Sequence, residues 1–353
     1  MRTYAPGESL EQLRRRSGFS TIVKLNANEN PHGSSPLAAE ALRGLPDLNL
    51  YGDDANIRLR ESMGARFGLR ASQIVLGHGS NELIALASAV FLHSGDRAVM
   101  AIPSFSLFRV GARAQNAEAT EIPLRDNRYD IDAMLAAITP DTSIVFICDP
   151  NNPTGIALDA SQWQHLLDDL PASVMLIVDQ AYVEYMDRQS IDAAQLVAQR
   201  PKTLVLRTMS KLYGLAALRF GYGFADEKTI EALNARRTPY NVSRPAAAAA
   251  AAAFDDRQFV ERTLEVNATG KILLTDGLRS LGLDVLASQA NFVSVSVPVG
   301  ADRACADLLS RGIAVRSGDA LSMPGRLRIT IGTEVENRAV VSALSELLPT
   351  WYA

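Results

Sequence analysis

Lys211 is the residue whose type and setting most invite chemistry. It stands in Arg207-Thr208-Met209-Ser210-Lys211, after an apolar run and before Leu212-Tyr213-Gly214. A lysine at a strand end, flanked by hydroxyls and glycine, can reach into a cleft. There, burial or a nearby cation lowers its pKa and leaves a neutral amine able to form an imine or move a proton. Taken alone, such a lysine is more often a solvated surface residue. The choice is short, because the only lysines are Lys24, Lys202, Lys211, Lys228 and Lys271. Its neighbours narrow the reading. Arg219 follows eight residues later, in Leu218-Arg219-Phe220-Gly221-Tyr222. Three further apolar runs also end in polar residues: Val178-Asp179-Gln180-Ala181-Tyr182, Asp149-Pro150-Asn151-Asn152-Pro153-Thr154-Gly155 and Gly77-His78-Gly79-Ser80-Asn81.

These residues need a scaffold that ends several strands side by side. Strand candidates are Gln73–Leu76, Arg97–Ala101, Ala119–Ile122, Ser143–Cys148, Val174–Val178, Thr203–Arg207 and Arg219–Ala225. Several are continuous apolar runs, the pattern of strands covered on both faces. Helical patterns fall between them, at Asn81–Leu92, Ser104–Gln115, Ile131–Ala137 and Ser161–Leu170. The alternation predicts an α/β fold with a mostly parallel sheet between helices. In such sheets, ligands bind outside the strands' carboxyl ends, where the polar residues stand. After residue 240 the pattern changes. Pro245 opens the alanine run Ala246–Ala253, and a helical pattern runs from Asp255 to Leu281. Three short strands (Asn291–Val297, Gly312–Arg316, Arg326–Ile331) and a helix at Glu336–Leu347 suggest a smaller α+β domain.

Taken in order, the motifs resemble those of fold-type-I pyridoxal-phosphate (PLP) aminotransferases, and among them the histidinol-phosphate aminotransferase branch. The likeness runs nearly end to end: Leu25-Asn26-Ala27-Asn28-Glu29-Asn30-Pro31, Tyr51-Gly52, Gly79-Ser80-Asn81-Glu82-Leu83-Ile84, Asn151-Asn152-Pro153-Thr154-Gly155, Asp179-Gln180-Ala181-Tyr182, Ser210-Lys211 with Arg219, Gln289-Ala290-Asn291-Phe292 and Leu327-Arg328-Ile329-Thr330-Ile331-Gly332. The resemblance implies a large domain with a seven-stranded sheet (45–244), a small α+β domain (245–353) and an N-terminal segment (1–44) joining the small one. It implies a Schiff base on Lys211, which then serves as the base for the α-proton. It implies Asp179 against the pyridinium nitrogen, where a carboxylate keeps the ring protonated and electron-withdrawing. Asn152 and Tyr182 are implied at the ring's 3′ oxygen, and Phe105 stacked on the ring, where many relatives have tyrosine. Gly79, Ser80 and Asn81 at a helix N-terminus would hold the phosphate, with Thr208, Ser210 and Arg219. Tyr51 matches a tyrosine that the family brings from a partner subunit, which implies a homodimer with shared sites. Arg328, helped by Arg316, matches the grip on the substrate's anionic end, and Asn28 lies with it. Gln180 departs from the usual acid and is expected to bear on substrate or tuning.

The implied reaction moves an amino group between histidinol phosphate and 2-oxoglutarate by a ping-pong route. Aromatic amino-acid aminotransferases and PLP decarboxylases, lyases or oxidases, such as threonine-phosphate decarboxylase, share the fold and remain the alternatives. Composition fits this class. With 353 residues, 47% hydrophobic and 21% charged, the chain can bury two ordinary cores. A net charge of −4 speaks against a nucleic-acid binder. Met1–Leu10 holds no apolar signal core, and the alanine run is too short to span a bilayer, so a cytoplasmic protein is expected. Cys148 and Cys305 read as core thiols. His32 is expected near the substrate entrance and His78 in the phosphate loop, with His93 and His165 at the surface. No pair among these four has metal-ligand spacing, so no metal is expected.

Overall fold

The computed structural model describes residues 7–187 and 191–352. Residues 1–6, on which the reading of Met1–Leu10 partly rests, lie outside the described residues. The strands are β1 (Val23–Lys24), β2 (Ile74–Gly77), β3 (Arg97–Ile102), β4 (Glu118–Pro123), β5 (Thr142–Cys148), β6 (Met175–Asp179), β7 (Thr203–Thr208), β8 (Gly221–Phe224), β9 (Phe292–Ser296), β10 (Ile313–Ala314), β11 (Arg316–Ser317) and β12 (Arg326–Thr330). Seven of them, the seven expected, form one sheet in the order β2-β8-β7-β6-β5-β3-β4. Only β8 runs antiparallel to its neighbours. Every residue of β2, β6 and β8 is buried, which is why these strands read as unbroken apolar runs. Helices cover the faces. Ser80–Phe91 follows β2 directly, and Ala160–Asp169 starts from a capping box in which Asp159 accepts the Gln162 N–H. Carboxyl ends of β5, β6 and β7 therefore lie side by side and deliver Cys148, Asp179 and Thr208 to one rim.

A three-stranded antiparallel sheet, β11-β12-β9, lies under the long helices Arg257–Ser280 and Glu334–Tyr352. Its core is separate and includes Val293, Val295, Leu327, Ile329 and Leu344. The expected strand Gly312–Arg316 is split here. Its first half, β10, pairs in parallel with β1, and its second half, β11, pairs with β12. No strand or helix is expected before Gln73, yet helices occupy Leu10–Ser17, Pro36–Arg43 and Ile57–Phe67. Each is short and becomes stable by docking an apolar residue such as Leu13, Ala38 or Met63.

The expected boundary at 245 falls inside a helix, Arg244–Asp255. Its buried face, Ala246, Ala249, Ala250 and Ala253, belongs to the core of the large sheet, where the small side chains allow a close approach to helix Pro36–Arg43. Asp256 follows, its carboxylate capping the next helix at Phe259 N–H and accepting the Ser35 hydroxyl at 2.6 Å. That helix passes from the large core, which Val260 and Leu264 touch, to the small one, which holds Leu274 and Leu278. Residues 7–44 are likewise divided. Leu25 packs with the small core, and Ala38 packs with the large one.

Candidate active site

A cavity of about 690 Å³ lies between the carboxyl rim of the large sheet and the face of the small one. Among the expected site residues it is lined by Asn28, Ser80, Asn81, Phe105, Asn152, Asp179, Tyr182, Thr208, Ser210, Lys211, Arg219, Arg316 and Arg328. Lys211 follows β7, and its Nζ donates to the Ala27 carbonyl at 3.1 Å. Its remaining exposure is to the cavity. Burial, with Arg328 adding repulsion, brings its pKa down to about 7. Asp179 ends β6 with 2% of its surface exposed. Burial raises its carboxyl to about 7 against the Ala181 N–H, which it accepts at 3.0 Å, and the nearby Lys211 charge. A buried carboxyl facing a cavity with this little compensation suits a cationic ring nitrogen.

Donors converge at the opposite end. Helix Ser80–Phe91 starts at Gly79, and no side chain caps it, so its first N–H groups are free for an anion. Gly79 has φ +79°, and a Cβ there would stand 2.4 Å from the Arg219 guanidinium, so glycine is required for that approach. Arg219 donates to Ser210 Oγ at 3.3 Å, and Thr208 Oγ1 donates to the same oxygen at 2.9 Å. Arg219 precedes β8 in the left-handed region, at φ +55°, instead of belonging to the strand as expected. The donor cup at one end and the buried carboxyl at the other fit a phosphorylated, cationic heteroaromatic cofactor such as PLP.

Between these ends lies a connected polar network. Tyr182 OH accepts from Asn28 Nδ2 at 3.0 Å and from Asn152 Nδ2 at 3.5 Å. Arg328 donates to Asn152 Oδ1 at 2.7 Å and to the Asn26 carbonyl at 3.0 Å. Thr330 Oγ1 accepts the Asn28 N–H at 2.9 Å. Arg328 lies in the middle of β12, not at a strand end, and Arg316 on β11 is its cross-strand partner. Phe105 lines the wall and meets Phe108 edge-on, with ring centroids 5.8 Å apart. Asn26 and Thr330 stand in the family-like motifs without an implied role. Their place in the network depends on contacts between residues about 300 apart in the chain.

Three expected neighbours lie elsewhere. Tyr51 is 81% exposed and stacks on Tyr240, with centroids 4.5 Å apart, so it stands outside this chain's cavity. Gln180 faces away from the cavity. Its Oε1 accepts from Arg207 Nε at 3.1 Å and from the terminal nitrogen of the same guanidinium at 3.0 Å. That replaces the tuning role expected of it with a structural one. The signal was present, since adjacent residues of an extended strand point to opposite faces. His32 also lies off the cavity lining, with Arg262 and Glu336 as its charged neighbours.

The sequence-family profile for aminotransferase class I and II matches residues 20–344. Histidinol-phosphate aminotransferase of Brevibacillus brevis is 40% identical over 347 residues, covering 98% of this chain and 95% of the relative. The enzyme of the same name from Anoxybacillus flavithermus is 39% identical over 350 residues, covering 99% and 94%. Among solved structures, histidinol-phosphate aminotransferase of Sinorhizobium meliloti in complex with pyridoxal-5′-phosphate superposes with a TM-score of 0.90 at 26% identity, covering 98% of this chain and 96% of that one. With the lysine, the buried carboxyl and the anion cup already gathered at one cavity, the chain belongs to the class I and II aminotransferases and is a pyridoxal-phosphate-dependent aminotransferase of fold type I.

Proposed function

We propose that the enzyme moves an amino group between histidinol phosphate and 2-oxoglutarate in two alternating half-reactions. The observation that carries this is the cross-strand pair Arg316 and Arg328, both lining the cavity that Lys211 enters. A guanidinium accepts phosphate or carboxylate in the same bidentate geometry, so one grip serves a phosphate ester and a dicarboxylate in turn. The names of the relatives, at about 40% identity and nearly full length, support the same pair of substrates.

PLP, when bound, supplies the electron sink that stabilises a carbanion at the substrate's Cα. The chain supplies the rest. Gly79, Ser80, Asn81, Thr208, Ser210 and Arg219 would hold the phosphate, and Asp179 would favour a cationic ring nitrogen. Phe105 closes one face against water. Asn28 and Asn152 hold the Tyr182 hydroxyl in place for the ring's 3′ oxygen. Lys211 would carry the cofactor, and burial, which lowers its pKa to about 7 in the cofactor-free chain, suits its amine to hold or move the proton at the substrate's Cα. Tyr51, exposed on one chain, reaches the phosphate cup of a second copy, which makes the working unit a homodimer with shared sites.

We further assign the chain to a large domain around the seven-stranded sheet and a smaller one around the three-stranded sheet. Residues 7–25 go with the smaller, and helices Pro36–Arg43 and Arg244–Asp255 with the larger. Among the described residues no helix is long and apolar enough to cross a membrane. We place the protein in the cytoplasm.

The test is one half-reaction. Cofactor-loaded enzyme is mixed with histidinol phosphate and no keto acid, and the cofactor's absorbance and the matching ketone are followed. One ketone per site supports the reading. Silence with histidinol phosphate but turnover of phenylalanine or tyrosine moves the substrate to aromatic amino acids, and carbon dioxide from an amino acid moves the reaction to decarboxylation.

A further inference from the structure

A second cavity, of about 220 Å³, shares no lining residue with the catalytic one. Its lining is polar and includes Asp54, Asn56, Arg60, Asn234, Arg237 and Asn241. The two arginines differ in how they are partnered. Arg237 is fully engaged: its terminal nitrogens donate to the two Asp54 oxygens at 2.9 and 2.7 Å, and one of them also to Asn241 Oδ1 at 2.9 Å. Its Nε donates to Asn234 Oδ1 at 3.3 Å. The Arg60 guanidinium makes no hydrogen bond or ion pair among the described residues, although its Nε is buried. Burial and the neighbouring Arg237 charge both work against the Arg60 cation, and only Asp53 favours it. The Asp53 oxygens already accept the Ala55 and Ile57 N–H groups, at 3.0 and 2.8 Å.

A buried guanidinium Nε without a hydrogen-bond acceptor is costly. Beside a second guanidinium and an open polar space, the missing acceptor is an anion. We propose that this cavity is a binding site for a small oxyanion, a phosphate or a carboxylate, held by the Arg60 guanidinium with the Arg237 charge beside it. There is room for it: a water occupies roughly 30 Å³ of liquid, so the cavity takes a tetrahedral oxyanion together with solvent. The oxyanion has two sources, free phosphate or a carboxylate side chain of a second copy. The exposed apolar residues Leu50, Tyr51, Ile57 and Tyr240 flank the lining residues along the chain and offer a surface for that copy. The site does not depend on which substrate the enzyme turns over.

The test uses cofactor-loaded protein. Selenate, a probe with the shape of phosphate, is soaked into crystals, and inorganic phosphate is titrated calorimetrically into wild type, Arg60→Gln and Arg60→Lys at low salt. A selenate anomalous peak within hydrogen-bond reach of Arg60 is expected. Arg60→Gln should weaken that binding about 10-fold or more, as expected for loss of a charge-assisted hydrogen bond, with the transamination rate unchanged. Arg60→Lys, which keeps the charge, should retain much of it. If a carboxylate of a second copy is the ligand, crystals show it on Arg60, selenate is excluded, and Arg60→Gln weakens self-association instead. Selenate confined to the catalytic cavity, with Arg60→Gln altering neither phosphate affinity nor self-association, overturns the proposal.

Discussion

The two sheets serve one cavity in different ways. The large sheet delivers its groups from chain just beyond strand ends: Asp179 closes β6, Thr208 closes β7, and Asn152, Ser210 and Lys211 follow in turns. The small sheet delivers Arg316 and Arg328 from within strands, aligned by antiparallel register. The first arrangement rests on buried parallel strands that bring their ends level. The second depends on which residue faces which across a ladder. The segment Asn26–Asn28 joins the two, since Ala27 accepts from Lys211, Asn26 accepts from Arg328, and Asn28 donates to Tyr182. On the proposed reading, cofactor chemistry belongs to one sheet and substrate charge to the other, and substitutions should separate along that line.

The largest effect is expected at Lys211. Lys211→Ala should slow the half-reaction by roughly 10³-fold or more, beyond what loss of one polar contact produces. Borohydride reduction followed by intact-mass measurement should show no cofactor adduct on that variant. A near-normal rate would move the base to another residue and undo the division between the sheets.

Next comes Asp179→Asn, expected to cost on the order of 10²-fold in rate, within the range for loss of one preorganised electrostatic contact, while leaving KM for keto acid little changed. It also carries a pH signature in the cofactor-free protein. The folded Asp179 carboxyl sits near 7, above its unfolded value of 3.8, so the folded state holds the extra proton and stability falls as pH rises between those values. Lys211 sits near 7, below its unfolded value of 10.5, so its contribution rises with pH from about 7 upward. Together they predict a minimum near pH 7 in thermal melts of the cofactor-free protein. Asp179→Asn should flatten the acid limb relative to wild type, and an unchanged limb would mean that this carboxyl is not buried against its charge.

Arg328→Gln should raise KM for anionic substrates by about 10- to 100-fold, the scale of a charge-assisted pair. Arg316→Gln should do less, because Arg328 is buried whereas Arg316 is only partly so. Steady-state kinetics on both substrates would check the order, and equal effects would reduce the pair to a shared charge with no structural asymmetry. The smallest effect is expected at Gln180→Ala. It should cost about 1 kcal/mol of stability through the lost Arg207 contact and leave the holoenzyme's visible spectrum unaltered. A shifted spectrum would return Gln180 to the site.

Much of the large sheet was legible from the apolar pattern along the chain. Seven apolar runs became seven strands, because parallel strands buried on both faces leave few polar residues to confuse the pattern. Boundaries moved by at most two residues, the largest shift being at Arg219, whose left-handed conformation holds it outside the start of β8. The N-terminal helices were not legible, since each is short and depends on docking. The alanine helix was assigned to the wrong core for a related reason. Alanine gives helix propensity but no clue to the surface it packs against.

The sequence by itself determined the chemistry of the large sheet: a lysine, an acid and an anion cup beside strand ends that the fold class must bring together. Only the tertiary structure decided the rest. It set Arg316 opposite Arg328, turned Gln180 toward Arg207, kept Tyr51 outside its own chain's cavity and hung the Tyr182 hydroxyl from Asn28. These are relations between residues distant along the chain. Strand register, and the face on which each side chain emerges, settle only when the separate pieces pack.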